Sequence, residues 1–341
     1  MTDLVPTREH TELASSVRNL LDKRSDSQAV RRAIEQPSGF DTELWATLCE
    51  QIGVAALAIP DEHGGAGFTL AETYVVLEEL GRALTPSPLL ASVVATEALL
   101  AADHHEPLGR IAEGAVATVV WSGVTAEGGL LSGPAAPVLY GDVAEFLVVA
   151  AGDGLFVVDP EATGLTRARL TGMDLTLGFA RLDFVDVEAE RITEDAASAL
   201  TAAHRVGTLA AAALAVGCAQ RGLDMTVEYA KQREQFGRPI GSFQALKHRM
   251  ADMLVKVQMS RAGAWAAVQA HVHDEPNADR LAAAAASYCS EAAMAVAAET
   301  IQLHGGIAIT WEHDAHLVLK RAQALNQLFG LPHQQRATLL P

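Results

Sequence analysis

The hydrophobic pattern changes its period twice along the 341 residues, and this change constrains the fold more than any other feature of the sequence. In the first third, apolar residues recur at helical spacing, most clearly over residues 69–84. Between residues 112 and 192 the pattern becomes a series of short β-branched or aromatic runs separated by Gly, Asp and Pro. From residue 198 the helical period returns in alanine-rich stretches, which approach one another closely in helical bundles.

These three regions predict a mainly α protein with a small β domain. We expect an N-terminal helical domain at residues 1–111, a shortened middle β-barrel at 112–192 and a C-terminal four-helix bundle at 193–341. The predicted helices are residues 11–23, 41–52, 69–84, 89–102, 202–233, 249–273 and 279–303, and the predicted strands are 115–121, 146–151, 155–159 and 181–187, with a strand-like run at 307–310.

Composition and charge exclude several classes of function. The formal net charge of −17 argues against a basic surface that binds nucleic acid. The three cysteines have no CxxC spacing, so a disulfide framework or a zinc site is not expected, and a reducing cytosol fits. The N-terminus lacks the pattern of a signal peptide, and charge or glycine interrupts the apolar stretches before the roughly 18 residues of a membrane span. We therefore expect a cytoplasmic protein without membrane insertion.

The segment 229–244 carries the first chemical motif. A predicted helix ends near Arg233, the chain turns through Gly237 and Pro239, and another helix begins near Ser242. An arginine at such a turn has the planar fork that pairs with a pyrophosphate. Taken alone, the segment equally describes a polar loop between two bundle helices.

The segment 301–312 carries the second motif. Gly305 and Gly306 follow a predicted helix and allow a backbone or a phosphate to approach closely, and the amide of Gln302 lies beside them in the sequence. Taken alone, the two glycines also describe an ordinary helix C-terminus.

Together, in this order and spacing, the two segments resemble the acyl-CoA dehydrogenase family. Residues 52–67 and 76–82 look like the first helical domain of that family, and residues 183–187 are similar to its exit from the β domain. The resemblance covers nearly the whole chain. It implies the helical, β, helical fold and the oxidation of an acyl-CoA thioester between its α and β carbons with FAD, with electron-transfer flavoprotein as the electron acceptor.

In this family, the adenosine pyrophosphate end of FAD is reached by the C-terminal domain of the neighbouring subunit. The resemblance implies that contact here for Arg233, Phe236, Gln244, Gln302, Gly305 and Gly306. An arginine and free backbone N–H groups suit a dianionic linker. His313 and His316 superficially suggest a metal site. The family resemblance explains their segment as the start of the last helix, so we predict no metal.

Two departures from the family pattern concern the active site. The family needs a carboxylate that removes the α-proton, and its two usual positions are occupied here by Phe329 and Gly207, so we predict no catalytic residue. The family loop that binds the flavin ring, similar to Thr-Glu-Pro-x-Ala-Gly-Ser-Asp, has no counterpart after Trp121. Thr125 is a weak substitute, and a plain turn is the simpler interpretation. Glu127 and Glu145 are acids of the β domain without a spacing that supports catalysis.

These losses resemble the degenerate subunit of heteromeric α2β2 acyl-CoA dehydrogenases of actinobacterial steroid side-chain degradation. We therefore expect an acyl-CoA dehydrogenase subunit that completes the FAD site of a second, catalytic subunit. Two alternatives stay open: a self-sufficient homomeric enzyme with a relocated base, and a non-catalytic scaffold or regulatory subunit of the same fold.

Overall fold

The computed structural model describes residues 5–339. Its α-helices are α1 Arg8–Arg24, α2 Ser27–Glu35, α3 Thr42–Ile52, α4 Leu70–Ala83, α5 Leu89–Ala101, α6 Leu108–Ala112, α7 Ala196–Gln232, α8 Gln244–Val272, α9 Ala278–His304, α10 Ala315–Leu325 and α11 Pro332–Ala337. Its strands are β1 Ala117–Glu127, β2 Leu130–Leu139, β3 Phe146–Ala151, β4 Gly154–Val158, β5 Leu165–Leu170, β6 Phe179–Glu188, β7 Glu190–Thr193, β8 Glu234–Gln235 and β9 Arg238–Pro239. The helical, β, helical order predicted from the periodicity is confirmed.

The chain folds into two compact units, each assembled from separate segments. One unit contains residues 1–30, 74–85 and 208–341, and the other contains residues 31–73 and 86–207. In the first unit, α9 packs against α8, α10 and α11, as expected for a helical bundle. In the second unit, α5 packs on β1 and β3.

Local signals explain where the N-terminal helices begin and end. Thr7 and His10 form a reciprocal capping box at the start of α1. The Asp41 carboxylate accepts the N–H of Leu44 at 2.9 Å, which starts α3, and Gly53 ends that helix in a left-handed conformation with φ of 73°. The predicted and observed limits of these helices differ by three residues at most because the caps are local sequence features.

The β region forms one seven-stranded sheet in the order β5-β6-β2-β1-β3-β4-β7. The pair β1–β3 is parallel, with Ala117 opposite Phe146, and the other neighbours are antiparallel. The sheet predicted as a barrel is therefore open in its hydrogen bonding, with β5 and β7 at the edges. The prediction missed β2, β5 and β7. Pro134 and Pro137 explain the omission of β2, since proline normally argues against an interior strand.

Two alanine-rich helices contain apolar windows as long as a membrane span. Residues Ala196–Gln232 and Ala278–Ile309 are long and apolar enough to cross a membrane by length and composition, although 72% and 50% of their most apolar windows are buried within the fold, as in core helices.

The strand predicted at 307–310 is wrong. The segment is part of a 3-10 turn, Gly305–Ile309, whose local hydrogen bonds include Thr310 N–H to the Ile307 carbonyl at 3.1 Å. A short apolar run forms a strand only where a neighbouring strand pairs with it.

Candidate functional site

The first candidate segment forms a small hairpin between α7 and α8. Arg233 directly follows α7, and its carbonyl accepts the N–H of Ile240 at 2.8 Å, which closes the hairpin β8–β9. Phe236 and Gly237 form the tip with φ of 55° and 74°. Gly237 adopts this left-handed conformation without strain, whereas Phe236 does not. The structure thus holds a large apolar side chain outward at the cost of local backbone strain.

All three predicted residues of this segment present their side chains to solvent. Phe236 is 91% exposed, and Arg233 and Gln244 are also exposed. Behind the tip, the Phe243 ring lies 6.1 Å from the Phe236 ring, centroid to centroid, and the Arg238 guanidinium lies 4.1 Å from the Phe243 centroid. This support fixes the hairpin and leaves its outer surface available to a ligand.

The second candidate segment ends α9. Gly305 has φ of 65°, and its N–H bonds to the Ile301 carbonyl. Gln302, Gly305 and Gly306 are exposed. A Cβ added at Gly306 would meet no atom within 4 Å, and Gly306 does not have a positive φ. No contact within the described chain therefore requires glycine at position 306.

The structure brings the two segments together through aromatic rings in the same unit. The Tyr229 ring stacks on the His304 ring with a centroid distance of 4.5 Å and an interplanar angle of 29°. Tyr229 also accepts the N–H of Arg233 at 2.8 Å through its carbonyl, and His304 directly precedes Gly305. The ends of α7 and α9 are thus joined, as the pyrophosphate prediction requires, although the role of the six residues remains a prediction.

His304 is a residue of this region that the sequence reasoning overlooked. It is 3% exposed, and its Nδ1 lies 2.7 Å from the Thr300 carbonyl. Burial, together with the nearby His313 at 4.5 Å between ring centroids, lowers the pKa of His304 below the usual histidine value. The only sequence signal was a histidine beside two glycines.

The two usual positions of the catalytic base hold no acid in the structure. Phe329 lies between α10 and α11 with φ of 55°, and its carbonyl accepts a hydrogen bond from Gln335 Nε2 at 2.5 Å. Gly207 is buried inside α7. Of the two acids considered in the β region, Glu145 pairs with Arg110 at 2.6 Å and Glu127 is exposed at the end of β1.

A different acid, Glu97 on α5, was missed by the sequence reasoning. Burial raises the pKa of Glu97, and the nearby Arg205 opposes this rise. His204, next to Arg205 on α7, packs edge-on against Trp121 at 6.1 Å, and burial lowers the pKa of His204. No sequence motif surrounds Glu97, which is half-buried, so only its raised pKa in the structure identifies it.

The chain continues as a regular hairpin where the family would place its flavin-ring loop. After Trp121, β1 extends to Glu127, and Gly128 and Gly129, with φ of 59° and 85°, form the two-residue turn to β2. Thr125 therefore lies in a strand rather than in the expected turn, and its hydroxyl donates to the Ser132 carbonyl at 3.1 Å.

The histidines considered for a metal site do not share a helical face. His313 precedes α10, which begins at Ala315, and His316 lies in its first turn. Within residues 5–339, no group of three or more His, Cys, Asp or Glu side chains is arranged to hold a metal ion.

Comparison with known proteins identifies relatives along most of the chain. Residues 7–104 match the family model described as the N-terminal domain of acyl-CoA dehydrogenase, and residues 197–339 match the one described as its C-terminal domain. The protein named acyl-CoA dehydrogenase IpdE2 of Mycolicibacterium smegmatis is 43% identical over 337 residues, which cover 96% of this chain and 97% of that protein.

Two solved structures are also similar to this chain. The ChsE4-ChsE5 complex from Mycobacterium tuberculosis contains a chain with a TM-score of 0.89 and 29% identity, covering 99% of this chain and 97% of that one. A variant of the Tcur3481-Tcur3483 steroid ACAD has a TM-score of 0.87 and 30% identity, covering 97% of this chain and 96% of that one.

Proposed function

Because the chain belongs to the acyl-CoA dehydrogenase family, we propose that it serves as one subunit of an FAD-dependent acyl-CoA dehydrogenase and completes the FAD site of a second, catalytic subunit. The complex oxidises an acyl-CoA thioester between its α and β carbons. FAD, when bound, supplies the hydride acceptor. This chain contributes the groups that hold the adenosine pyrophosphate end.

The observation that carries the proposal is the joined, outward-facing pair of segments at the ends of α7 and α9. Arg233 supplies a permanent positive charge, and Gln302 supplies an amide beside the turn. Gly306 is not required by the packing of its own chain, which fits a role in admitting a ligand from outside. These groups fit the pyrophosphate of FAD by charge and by hydrogen-bonding type.

The chain's own active site supports the same interpretation. A carboxylate must stand close to the substrate α-carbon to remove its proton, and neither Phe329 nor Gly207 offers one. The hairpin β1–β2 runs without the loop that binds the flavin ring in the family. We use the term half-site for the residues predicted to contact the pyrophosphate end of FAD: Arg233, Phe236, Gln244, Gln302, Gly305 and Gly306. A chain that keeps this half-site but lacks the carboxylate and the flavin-ring loop needs a partner that supplies them.

The partner we propose is a second member of the same family that carries the flavin loop and the glutamate. The similar ChsE4-ChsE5 structure is a complex of two named chains, and the similar Tcur3481-Tcur3483 protein is named as a steroid ACAD. By this likeness we propose a heteromeric assembly for this chain, an acyl-CoA of the steroid-degradation type as its substrate, and electron-transfer flavoprotein as the acceptor.

Flavin content tests the proposal. We expect the chain purified alone to be colourless and the complex with its partner to contain one flavin for each pair of chains.

Arg233→Ala should weaken FAD retention in the complex by roughly 10- to 100-fold, because a charge-assisted hydrogen bond is lost. Lys231→Ala is the matched control: Lys231 is exposed, carries the same charge and pairs with Glu228 at 3.6 Å. Absorbance near the flavin maximum and equilibrium dialysis provide the measurements.

Two other results would each favour a different function. One flavin per chain in the protein purified alone would favour a self-sufficient enzyme, for which Glu97, with its raised pKa, is the acid to examine first. A complex without flavin, or with flavin that is insensitive to Arg233→Ala, would favour a scaffold that retains only the fold.

A further inference from the structure

His304 is a buried histidine whose ring is satisfied at one nitrogen only. Its Nδ1 lies 2.7 Å from the Thr300 carbonyl and therefore carries the proton in the neutral ring. Its Nε2 is buried and has no hydrogen-bond partner among residues 5–339. A buried lone pair without a donor is unfavourable, so the neutral ring is incompletely accommodated.

Two backbone carbonyls near the ring favour an imidazolium. The backbone carbonyls of Thr300 and Met225 both act to raise the pKa of His304, because carbonyls accept N–H groups from the charged ring. Burial and His313, at 4.5 Å between centroids, act against the charge and prevail in the free chain. A nearby anion would act in the same direction as the two carbonyls and raise the pKa of His304.

The groups that face the ring come from three parts of the first unit. Tyr229 stacks on it from α7, Thr300 lies one turn earlier on α9, and His313 approaches from the segment before α10. The adjacent Asp314 is engaged elsewhere: it accepts from Ser27 Oγ at 2.7 Å, and its other oxygen lies 3.6 Å from Arg221. The described contacts thus give His304 no carboxylate partner of its own.

The position of the ring links it to the half-site. His304 directly precedes the exposed Gly305–Gly306 turn, and Tyr229 connects it to Arg233 through the 2.8 Å backbone hydrogen bond. We propose that His304 is a positioning residue of the half-site that takes up one proton from solvent when a pyrophosphate binds at the Gly305–Gly306 turn. The inference rests on the proposed function, because it requires that the turn binds the pyrophosphate.

The proton uptake has a defined dependence on pH. The ligand raises the pKa of His304, so binding is stronger at low pH and weakens as the pH rises through the pKa of the bound state. Between the pKa values of the free and bound states, one proton per ligand gives at most about tenfold tighter binding per pH unit. The imidazolium adds positive charge beside the turn and uses both ring nitrogens as donors, which orders the end of α9.

The test uses the full chain with uniform nitrogen isotope labelling and unlabelled ADP as the ligand. ADP carries the adenosine and the pyrophosphate of FAD. NMR titration gives the pKa of His304 with and without ADP, and the same spectra give the amide shifts of Gly305 and Gly306. We expect the amides to shift and the pKa of His304 to rise with ADP. His304→Asn identifies the signal and places an amide donor where Nδ1 meets the Thr300 carbonyl, but it cannot take up a proton. The pH dependence of its ADP affinity should therefore be only the part that comes from the terminal phosphate of ADP. His313→Gln is the control that should retain the rise.

Each result is decisive. Shifted amides with a raised pKa, together with a component of the pH dependence of ADP affinity that His304→Asn removes, support the inference. Shifted amides with an unchanged pKa of His304 overturn the inference while the half-site proposal stands. Amides that do not move at saturating ADP overturn the half-site proposal, and the inference falls with it.

Discussion

At the scale of single residues, buried charge is tied to specific partners. Glu79 on α4 is 5% exposed and accepts two hydrogen bonds from Arg18 on α1, at 2.9 and 2.5 Å. Arg82, the next cation, is 4.0 Å away and already pairs with Asp224 at 2.9 Å. A carboxylate removed from water in this way depends on its bidentate partner. Arg18 therefore attaches α1 to α4 within the first unit.

We predict that Arg18→Met lowers the free energy of unfolding by about 1–2 kcal/mol, because it leaves the buried Glu79 carboxylate poorly paired. The expected loss is modest because Arg18 is itself partly exposed to solvent. The matched control is Arg8→Met on the same helix. Arg8 pairs with Glu12 at 2.7 Å, but both side chains are mostly exposed, so its loss should change stability by about 0.5 kcal/mol or less. Urea denaturation measures both variants, and equal effects would contradict the role of Arg18.

At the scale of secondary-structure elements, glycines allow a close crossing of α4 and α7 in the first unit. A Cβ at Gly217 on α7 would lie 2.0 Å from the Glu78 carbonyl oxygen of α4, and one at Gly81 on α4 would lie 2.4 Å from the Leu214 carbonyl oxygen. Both contacts are with backbone, which cannot rotate away. Here, the small residue is required by the distance between two helix backbones rather than by local conformation.

Gly217→Ala should therefore lower the free energy of unfolding by about 1–3 kcal/mol through overpacking, despite the higher helix propensity of alanine. Gly263→Ala on α8 is the control: its Cβ would meet nothing within 4 Å, so we expect a gain of about 0.5–1 kcal/mol. Thermal unfolding followed by circular dichroism compares the two variants. A stabilising Gly217→Ala would mean that α4 and α7 move apart at little cost.

At the scale of the whole molecule, three free cysteines lie in the cores of the two units. Cys49 belongs to the unit with residues 31–73, and Cys218 and Cys289 belong to the unit with residues 208–341. They are 8%, 0% and 1% exposed. Burial raises the pKa of Cys49 and of Cys289 to about 12. These two thiols are thus protonated at neutral pH, and the reactive thiolate is scarce.

We predict that a thiol reagent such as Ellman's reagent labels the native chain at pH 8 only as fast as the units open, and that all three thiols react at once in guanidinium chloride. Labelling rates followed by mass spectrometry assign each thiol to its unit. Immediate reaction of one cysteine in the native chain would show that its unit is open on the timescale of the assay.

The agreement between sequence and structure varies from one element to another for physical reasons. Helices with local caps, such as α3 with Asp41 and Gly53, were located closely, because a cap depends on neighbours in sequence. Strand β2 was missed since its two prolines contradict the local preference for a strand, while pairing on both sides with β1 and β6 supplies the stability. The 3-10 turn after Gly305 was read as a strand because a short apolar run is ambiguous without a partner.

The sequence by itself determined the helical, β, helical order, the resemblance to the family and the absence of a carboxylate at Phe329 and Gly207. These features depend on periodicity and on residue type, which are readable along the chain. Only the tertiary structure decided that Tyr229 stacks on His304 and joins the two motifs, that β1 continues as a plain hairpin, and that Glu97 is half-buried and His304 buried. Burial and contact between residues distant in sequence arise from packing the whole chain, and local preference does not encode them.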